Sequence, residues 1–520
     1  MDNLSDIKKN KKIVTALMLI LTVIIITPAF IMSCQNSPAE QSGQNGAQNN
    51  PANSGESGDG KTADGTNNAA SILPEWLPAR DFGGYEFRIL TRDTPHHSMY
   101  IDSEEVNGEP INDAVYNRNR IIEDAYNIKI KSIWISEFEG AGGESYLQNT
   151  LRTVINAGSD EYDLAMVHMI HSGSLGANNF LIDWKEIPHV DLSKPWWDQG
   201  VTEGLVINNR LYINSGDFNI ECTDHTWGMI FNKQLWQDFG YSDIYEAVKN
   251  GKWTLDYFND IIKQSTKDLN GDGIFDANDQ FGFITVDRGA LTNFMYGSNE
   301  RVYQKNNSGG FDLILNNERM QAVVEKTNDI YWNNNSSFVF MTAMGYNPDI
   351  EPISMFMENK GLISAARLVA LPKLRGMEID FGVIPHPKFD ENQDGYYTYS
   401  DGHSSMMCIP KTMPDPDRFG IIIEALAYSS RNLVLPAFYD ISLNTKFTRD
   451  EESSEMLDII INNRIFDIGY VYNDNTGSLG FIINELIQRK SITFASEIER
   501  KESRALTALE KLIENFGRVD

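Results

Sequence analysis

Alternating and periodic apolar positions predict a strand–helix–strand–helix–strand order near the start of the globular part of the chain. The segment Gly84–Asp93, GYEFRILTRD, alternates polar and apolar residues and ends in a polar turn, as a strand does. The next segment has apolar residues at helical spacing, among them Val115 and Ile122, and Asn112 is placed to cap it. NIKIKSIWI, SYLQNTLRTVINAG and YDLAMVH then predict a strand, a helix and a strand. This order is typical of a parallel sheet with helices on its faces.

A second α/β region begins near WGMIFNKQLWQDFG. Helical periodicity recurs in TLDYFNDIIKQSTK, which Thr254 caps, in NNERMQAVVEKTNDIYWN, in DRFGIIIEALAYSS and in most of the tail that follows. DFGVIPHPKF and SSMMCIPKT have the pattern of strands. Because no internal repeat interrupts this order, the pattern favours two α/β domains over a repeat architecture.

Charge and cysteine content narrow the possible functions of these two domains. The formal net charge is −29, and no cluster of Lys and Arg stands out in the body of the chain. This balance argues against nucleic acid and against polyanionic ligands. The chain has three cysteines, Cys34, Cys222 and Cys408, whose spacing suits neither a metal motif nor a disulfide framework. Cys222 and Cys408 either pair or remain buried free thiols.

The N-terminus carries an export pattern. Four lysines between residues 8 and 12 precede an apolar run, Ile13–Met32, and the sequence FIMSCQ. Ser33 before Cys34 at the end of such a run resembles the lipobox of bacterial lipoproteins. The resemblance implies a signal peptide of residues 1–33, cleavage before Cys34, and a diacylglyceryl group on its sulfur. An uncleaved signal anchor is the alternative, and both place the rest of the chain outside the cytoplasm.

Residues 34–71 join this N-terminus to the body. From Gln35 to Ala70 the chain contains no aromatic residue and no Leu, Ile, Val or Met. Such a segment cannot bury enough apolar surface to offset its ordering entropy, so we expect it to be disordered. A flexible chain of this length reaches roughly 30–35 Å. The composition therefore predicts a tether.

The stretch KDLNGDGIFDANDQFG, Lys267–Gly282, resembles a calcium-binding EF-hand loop. Acidic and amide side chains stand at loop positions 1, 3, 5, 9 and 12, and a glycine stands at position 6, where such a loop turns. The expected ligands are the side chains of Asp268, Asn270, Asp272, Asp276 and Asp279 and the carbonyl of Ile274. The exit segment QFGFITV is strand-like, so we expect a structural Ca²⁺ rather than a sensor. A turn without metal is the alternative.

Six phrases of the body resemble extracellular solute-binding proteins of family 1, the lipid-anchored receptors of carbohydrate ABC importers. They are NDAVYNRNRIIEDAYNIKI, LSKPWWDQG, WGMIFNKQLW, DLNGDGIFDANDQFGF, DFGVIPHPKFDENQDGYY and IPKT. The resemblance implies a two-lobed, periplasmic-binding-protein-like α/β fold with a hinge of crossing strands and a central ligand cleft. On this chain, lobe one is 78–226 plus 409–436, and lobe two is 227–408 plus 437–520. WGMIF and MMCIP would be the first two crossings.

The same resemblance implies a function. The protein would have no enzymatic activity and would sit on the outer face of the cell membrane through the lipid on Cys34. It would capture a carbohydrate, expected to be an oligosaccharide, and deliver it to the permease subunits of an ABC transporter. We expect it to act as a monomer and to bind no nucleic acid.

Candidate ligand-binding residues follow from the chemistry of sugars. A sugar presents an apolar ring face and a rim of hydroxyls, which suit aromatic, acidic, amide, Arg and His side chains. Loops at the predicted strand ends, where an open α/β sheet binds its ligand, supply such residues. Arg367 is added because the family often has a ligand-facing side chain in that segment. The full set is Arg92, Asp93, His168, His171, Trp227, Tyr296, Arg367, Asp401, His403 and Tyr470.

Several alternatives remain open at this point. An Arg or Asp in a loop is often a solvated group or a cap, and Trp227 and Tyr296 are equally suited to a core. A secreted glycoside hydrolase would need two carboxylates flanking the scissile bond, and the chain has many acids. It lacks the G-x-S-x-G elbow of a serine hydrolase. A calcium-dependent adhesin would normally show repeated modules, whereas a receptor for a peptide or another non-sugar solute is compatible with the same features.

Overall fold

A computed structural model describes residues 72–92, 99–135, 145–307, 309–443 and 451–517 of the 520-residue chain. The predicted signal peptide and tether, with Cys34, lie outside the described residues, and so does Asp93. Within the described part, no helix combines the length and the apolar character needed to cross a membrane.

The strands of the described residues form two five-stranded sheets and one small hairpin. Their bounds are β1 Tyr85–Arg92, β2 Ile128–Ile135, β3 Leu164–His168, β4 Ile213–Asn214, β5 Trp227–Asn232, β6 Phe281–Val286, β7 Tyr303–Lys305, β8 Phe311–Leu313, β9 Ser337–Phe340, β10 Gly361–Arg367, β11 Phe381–Ile384 and β12 Ser405–Cys408.

Helices cover the sheets and form most of the C-terminal region. Their bounds are α1 Pro110–Tyr126, α2 Tyr146–Asn156, α3 Met169–Ala177, α4 Gln199–Gly204, α5 Glu221–Asp224, α6 Lys233–Asp238, α7 Ile244–Lys249, α8 Leu255–Ser265, α9 Ala290–Gly297, α10 Glu318–Asn328, α11 Glu351–Met357, α12 Pro416–Leu443, α13 Glu451–Asn462, α14 Ile468–Val471, α15 Ile482–Gln488 and α16 Phe494–Gly517.

The first sheet has the strand order β2-β1-β3-β12-β4. β1 pairs in parallel with β2 and β3, whereas β12 runs antiparallel to both β3 and β4. α2 packs on β3, and α1 packs against the long helix α12. The parallel β–α–β–α–β unit that the pattern predicted is therefore confirmed, and a strand from much later in the chain extends its sheet.

The second sheet has the order β11-β5-β10-β6-β9. β6 is parallel to β9 and β10, while β5 is antiparallel to β10 and β11. α8 packs on β6, α11 on β10 and α13 on β11. The two sheets with their helices give the two α/β layers that the sequence predicted.

Helix starts show where local rules succeed and fail. Thr254 caps α8 as predicted, since its side chain accepts a hydrogen bond from the amide of Tyr257. The predicted cap of α1 at Asn112 is wrong, because the helix begins earlier, at Pro110. Proline at the first helical position has its φ preset for a helix and lacks only an N–H that would have no helical partner. Asn112 instead donates its side-chain N–H to the carbonyl of Glu105.

Three chain segments run side by side between the two sheets. The first segment bonds to the second through the amide of Trp227 and the carbonyl of Tyr399 (3.3 Å), and through the amide of Asp401 and the carbonyl of His225 (2.9 Å). The second bonds to the third, where the amide of Ile465 donates to the carbonyl of Thr398 (2.8 Å). These crossings at 225–227, 398–401 and 463–465 tie the layers together.

The crossings lie next to WGMIF and MMCIP, the segments that were predicted to form them, rather than within these segments. WGMIF forms most of β5 in the second sheet, and MMC belongs to β12 in the first sheet. The predicted boundary after Cys408 therefore falls at the end of a strand of the first sheet, and the one after Pro436 falls inside α12. Cys222 and Cys408 are buried free thiols, which is one of the two arrangements left open.

Candidate functional site

A cavity of about 410 Å³ opens where the carboxyl ends of β3 and β6 meet the second crossing segment. Open α/β sheets bind their ligands at this edge, and the volume lies within the usual range of small-molecule sites. The lining residues come from both sheets, the crossing and the C-terminal helices. They are His168, Ile170, His171, Arg288, Gly289, Asp401, Gly402, His403, Tyr470, Phe481, Asn484, Glu485 and Gln488.

The structure brings five of the ten predicted ligand residues into this lining. They are His168, His171, Asp401, His403 and Tyr470. Arg92, Trp227, Tyr296 and Arg367 lie behind the wall, each in contact with a lining residue. The tenth, Asp93, lies outside the described residues.

Three histidines form one side of the cavity. The ring centroids of His168 and His171 are 4.6 Å apart in a stacked arrangement, and the ring of His403 stands at 5.3 Å from that of His168. His168 is only 5% exposed, and neither of its ring nitrogens has a hydrogen-bond partner among the described residues. Burial lowers the pKa of His168 well below its usual value, and the charges of Arg92 and His403 lower it further. His168 is therefore a neutral imidazole.

Arg92 supports this wall from behind. The residue ends β1 and is 1% exposed, because β1 lies inside the sheet between β2 and β3. Its guanidinium pairs with Glu221 at 3.2 Å, and it donates to the hydroxyl of Ser405 at 2.8 Å and to the carbonyl of His403. The strand-end rule, by which ligands bind at the carboxyl ends of sheet strands, correctly placed Arg92 near the cavity. The N–H donors of Arg92, however, bond to other protein groups.

Asp401 is the most heavily bonded side chain of the lining. Its carboxylate accepts the indole N–H of Trp227 at 2.9 Å, contacts Nδ1 of His403 at 2.7 Å, and lies 3.6 Å from the guanidinium of Arg367. Burial raises the pKa of the Asp401 carboxyl, but the hydrogen bond and charge of His403 and the charge of Arg367 outweigh it and hold that pKa well below its usual range. Asp401 is therefore an ionised structural acceptor.

Arg367 completes the network on the side of the second sheet. Its Nε donates to Asp349 at 3.0 Å, and the guanidinium lies 6.0 Å from the centroid of the Trp227 ring. Burial alone would lower the pKa of Arg367, but Asp349 and Asp401 raise it above its ordinary value. Arg367, which was predicted to face the ligand, is 7% exposed, and its guanidinium pairs with these two carboxylates.

Trp227 and Tyr296 are core residues, which is the alternative to ligand binding that the sequence left open for them. They are 2% and 1% exposed, and neither lines the cavity. The Tyr296 ring packs at 5.3 Å from Tyr399 and 6.2 Å from Tyr470, and its hydroxyl donates to Asp467 at 3.3 Å. The cavity lining does contain the rings of Tyr470 and Phe481, which pack 5.1 Å apart.

Arg288 and Gly289 are lining residues that the sequence analysis missed. They follow β6 directly, so the strand-end rule applied to this strand would have found them. Gly289 has φ 49°, and a Cβ there would lie 2.5 Å from the Trp227 ring and 2.8 Å from the Asp401 carboxylate. Only glycine allows the loop to approach the crossing this closely. The residues from α15 carried no comparable signal, since they are amphipathic helix positions far along the chain.

The predicted calcium loop lies away from this cavity, between α8 and β6. Gly273 has φ 76° at the expected turn, and the carboxylate of Asp268 accepts the amides of Gly271 and Gly273 at 2.6 and 2.8 Å. Asp279 accepts the amides of Leu269 and Asp276, both at 2.9 Å. In the described part of the chain, no three His, Cys, Asp or Glu side chains are grouped as metal ligands would be. Calcium at this loop stays a prediction.

The fold and the site together define a two-lobed, periplasmic-binding-protein-like architecture with a cavity at the strand ends. No protein-family model and no curated protein matches the sequence. Solved structures do match the fold. UspC of M. tuberculosis aligns with TM-score 0.53 and 12% identity over 81% of this chain and 100% of that one.

Two further matches are solved with sugars bound. MalE3 of T. maritima, bound to maltose, aligns with TM-score 0.50 and 12% identity over 83% of this chain and 98% of that one. The ABC substrate-binding protein Lmo0181 of Listeria monocytogenes, in complex with cycloalternan, aligns with TM-score 0.51 and 11% identity over 84% and 100%. These similarities confirm the predicted fold.

Asp401→Asn tests the network behind the cavity. We expect a loss of about 3 kcal/mol of unfolding free energy at pH 7, because the buried Arg367 would lose one of its two charge partners. The folded-state pKa of Asp401 lies below the unfolded value, so its contribution is present above that unfolded pKa and is lost as the pH falls through the folded one. The difference between wild type and variant should therefore be constant from pH 7 to about pH 4 and shrink below. Urea unfolding at several pH values measures it.

The matched control is Asp260→Asn, which changes an exposed carboxylate on α8. It should unfold like the wild type across the same pH range. Equal stability of Asp401→Asn and Asp260→Asn at pH 7 would show that the Asp401 network contributes nothing.

Proposed function

We propose that this protein is an extracytoplasmic solute-binding protein that captures a carbohydrate and delivers it to the permease of an ABC transporter. The observation that carries the proposal is the position of the cavity, between two α/β layers and beside the crossings that join them. Matching structures that bind maltose and cycloalternan support a sugar as the solute. The protein acts as a monomer with one solute per chain.

The lining has the chemistry that a sugar needs. The imidazoles and the side-chain amides of Asn484 and Gln488 provide hydrogen-bond donors and acceptors for hydroxyls, and Phe481 provides an apolar face. Asn484 donates its side-chain N–H to the hydroxyl of Thr292 at 3.0 Å, and Gln488 donates to the carbonyl of Asp287 at 2.8 Å, so both amides are held in place. A site with fixed polar groups and one aromatic face binds a sugar ring in a defined orientation.

A binding role is favoured over glycoside hydrolysis by the state of the two lining carboxylates. Hydrolysis needs one carboxyl group that donates a proton and a second that acts as base or nucleophile. Asp401 is held ionised by Arg367 and His403, and Glu485 accepts a charged hydrogen bond from Lys501 at 2.7 Å. Because Asp401 is held ionised, it is not the proton donor that glycoside hydrolysis needs, which supports a binding role.

The function is tested by a thermal-shift screen of the protein against a panel of mono- and oligosaccharides. A solute at 100 times its dissociation constant should raise the stability by about 2.7 kcal/mol. His171→Ala should weaken binding of the best solute about tenfold, the cost of one charge-free hydrogen bond and a ring contact. Small-angle scattering with that solute should show a smaller radius of gyration, because both layers contact it.

The matched control for this screen is His189→Ala, a histidine outside the cavity that pairs with Asp417. It should bind the solute like the wild type. If no saccharide stabilises the protein while peptides or other solutes do, the carbohydrate part of the proposal is wrong. An unchanged radius of gyration with a bound solute would contradict closure.

We also propose that the protein is a lipoprotein anchored through Cys34 on the outer face of the membrane. The lysines, the apolar run Ile13–Met32 and the Ser33–Cys34 pair support this. Cells fed a labelled fatty acid should incorporate it into the wild type and not into Cys34→Ala, and the mature N-terminus should be residue 34. Recovery of a membrane-bound protein that retains residues 1–33 would support the uncleaved anchor instead.

Calcium at residues 268–279 is a further part of the proposal. The side chains of Asp268, Asn270 and Asp272 are on an exposed loop with the expected glycine turn, which supports a structural ion that fastens this loop. With a dissociation constant on the order of 0.1–1 mM, calcium at about 1 mM should stabilise the wild type by about 0.4–1.4 kcal/mol. Melting curves in calcium and in chelator measure this.

Asp272→Ala should abolish the calcium-dependent rise in melting temperature, and the control Asp260→Ala should retain it. Solute affinity should change little with calcium, because the loop is remote from the cavity lining. If calcium switches solute binding on and off, the loop is regulatory and the fastener role is wrong.

A further inference from the structure

We propose that the solute is an acidic saccharide, whose anionic group lies between the starts of α3 and α9 beside His168 and Arg288. The inference rests on the proposed function and names the chemical class of the solute. Four observations carry it: two helix starts at the cavity, a buried imidazole without a hydrogen-bond partner among the described residues, two lining carboxylates paired with basic side chains, and an arginine that no described residue engages.

The two helices reach the cavity from different sheets. α3 has nine residues and begins after His168, and α9 has eight residues and begins after Gly289. Both of these preceding residues line the cavity, and neither gives its helix a side-chain cap. The amide of Met169, the first of α3, donates to the carbonyl of Ser404 at 2.9 Å, which leaves the amides of the following residues of that turn. The first turn of a helix carries N–H groups without helical partners and a partial positive charge, which together favour an anion.

His168 provides an independent observation at the same place. It is 5% exposed, lines the cavity, and has no partner at either ring nitrogen among the described residues. A neutral imidazole has one N–H donor and one acceptor nitrogen, and leaving both unsatisfied when buried is unfavourable. An oxygen of the solute at this position would accept the N–H and remove that cost.

The two carboxylates that line the cavity are each paired with a basic side chain, which weakens their opposition to an anion. Asp401 faces His403 and Arg367, and Glu485 is 2.7 Å from Lys501 and 3.9 Å from Arg489. The neighbouring Asp287 does not line the cavity, and its carboxylate accepts the amide and hydroxyl of Thr342 at 2.8 and 2.7 Å.

Arg288 is the remaining charge of the lining. It is exposed, and in the described part of the chain no hydrogen bond or ion pair engages its guanidinium. An arginine fork matches the planar oxygens of a carboxylate and binds them with two parallel hydrogen bonds. With the two lining carboxylates compensated, Arg288 gives the cavity a local excess of positive charge.

The acidic character of the whole protein is compatible with this local excess. The net charge of −29 is spread over the chain, and exposed charges more than about 8–10 Å apart are largely screened at physiological ionic strength. The overall charge disfavours a long polyanion that would lie along the surface. A short saccharide with one anionic group inside the cavity meets mainly the local groups.

The test compares matched disaccharides on the full-length protein in detergent micelles by titration calorimetry. The probes are digalacturonate and its neutral counterpart galactobiose, cellobiouronate and cellobiose, and a sulfated galactobiose. We expect one acidic member to bind at least about tenfold more tightly than its neutral counterpart. Arg288→Gln should remove most of this preference, and Arg288→Lys should restore part of it.

Arg80→Gln is the matched control, since Arg80 is an exposed arginine outside the cavity. It should keep the preference of the wild type. A preference confined to the sulfated probe also supports the inference and identifies a sulfate as the anionic group. If saccharides bind but no acidic or sulfated probe binds more tightly than its neutral counterpart, or if Arg288→Gln retains the preference, the inference is overturned while the carbohydrate function stands. If no saccharide binds, the proposed function fails as well.

Discussion

A carboxylate buried between two sheets needs a donor on every side, and Asp401 meets that constraint at the second crossing of this fold. Its donors come from separate parts of the chain. Trp227 lies at the start of β5, Arg367 lies at the end of β10, and His403 lies two residues after Asp401 itself. An ionised carboxylate without these partners would cost several kcal/mol in such a place. These side-chain contacts add to the backbone hydrogen bonds of residues 225–227 with 399–401 in holding the crossing against the second sheet.

The hydrogen-bond network around Asp401 determines the shape of the cavity and which side chains remain to contact a solute. Because Trp227 and Asp401 bond to each other, the loop after β6 can approach them only with glycine at residue 289, and this approach brings the start of α9 to the cavity. Arg92 likewise pairs with Glu221 and donates a hydrogen bond to Ser405, behind the cavity wall. The lining groups without a partner among the described residues include His168 and Arg288, one from each sheet.

Strong local periodicity made the first sheet predictable, since β1, α1, β2, α2 and β3 each follow from patterns of a few residues. The strand-end rule then located His168, His171 and Asp401, because the rule depends only on strand order and direction. The same rule could not show that Arg92, unlike these three residues, lies behind the cavity wall. The burial of Arg92 depends on β12, whose Ser405 accepts a hydrogen bond from Arg92 and lies over 300 residues later in the sequence. Trp227 and Tyr296 were equally undecidable, because an aromatic residue suits a core and a binding face for the same physical reason. The α15 residues were missed since nothing local marks a helix face as a cavity wall.

The division of the site between two sheets has a consequence for how a bound solute acts on the protein. His168 and the start of α3 belong to the first sheet, whereas Arg288 and the start of α9 belong to the second. A solute that contacts both pairs gains its full binding free energy only when the two layers are close together. Under the proposed function, such a solute would by linkage favour the arrangement in which the layers are close together, by as much as its affinity differs between the two arrangements. A solute that contacts only one sheet has no such difference in affinity and would leave the arrangement of the layers unchanged.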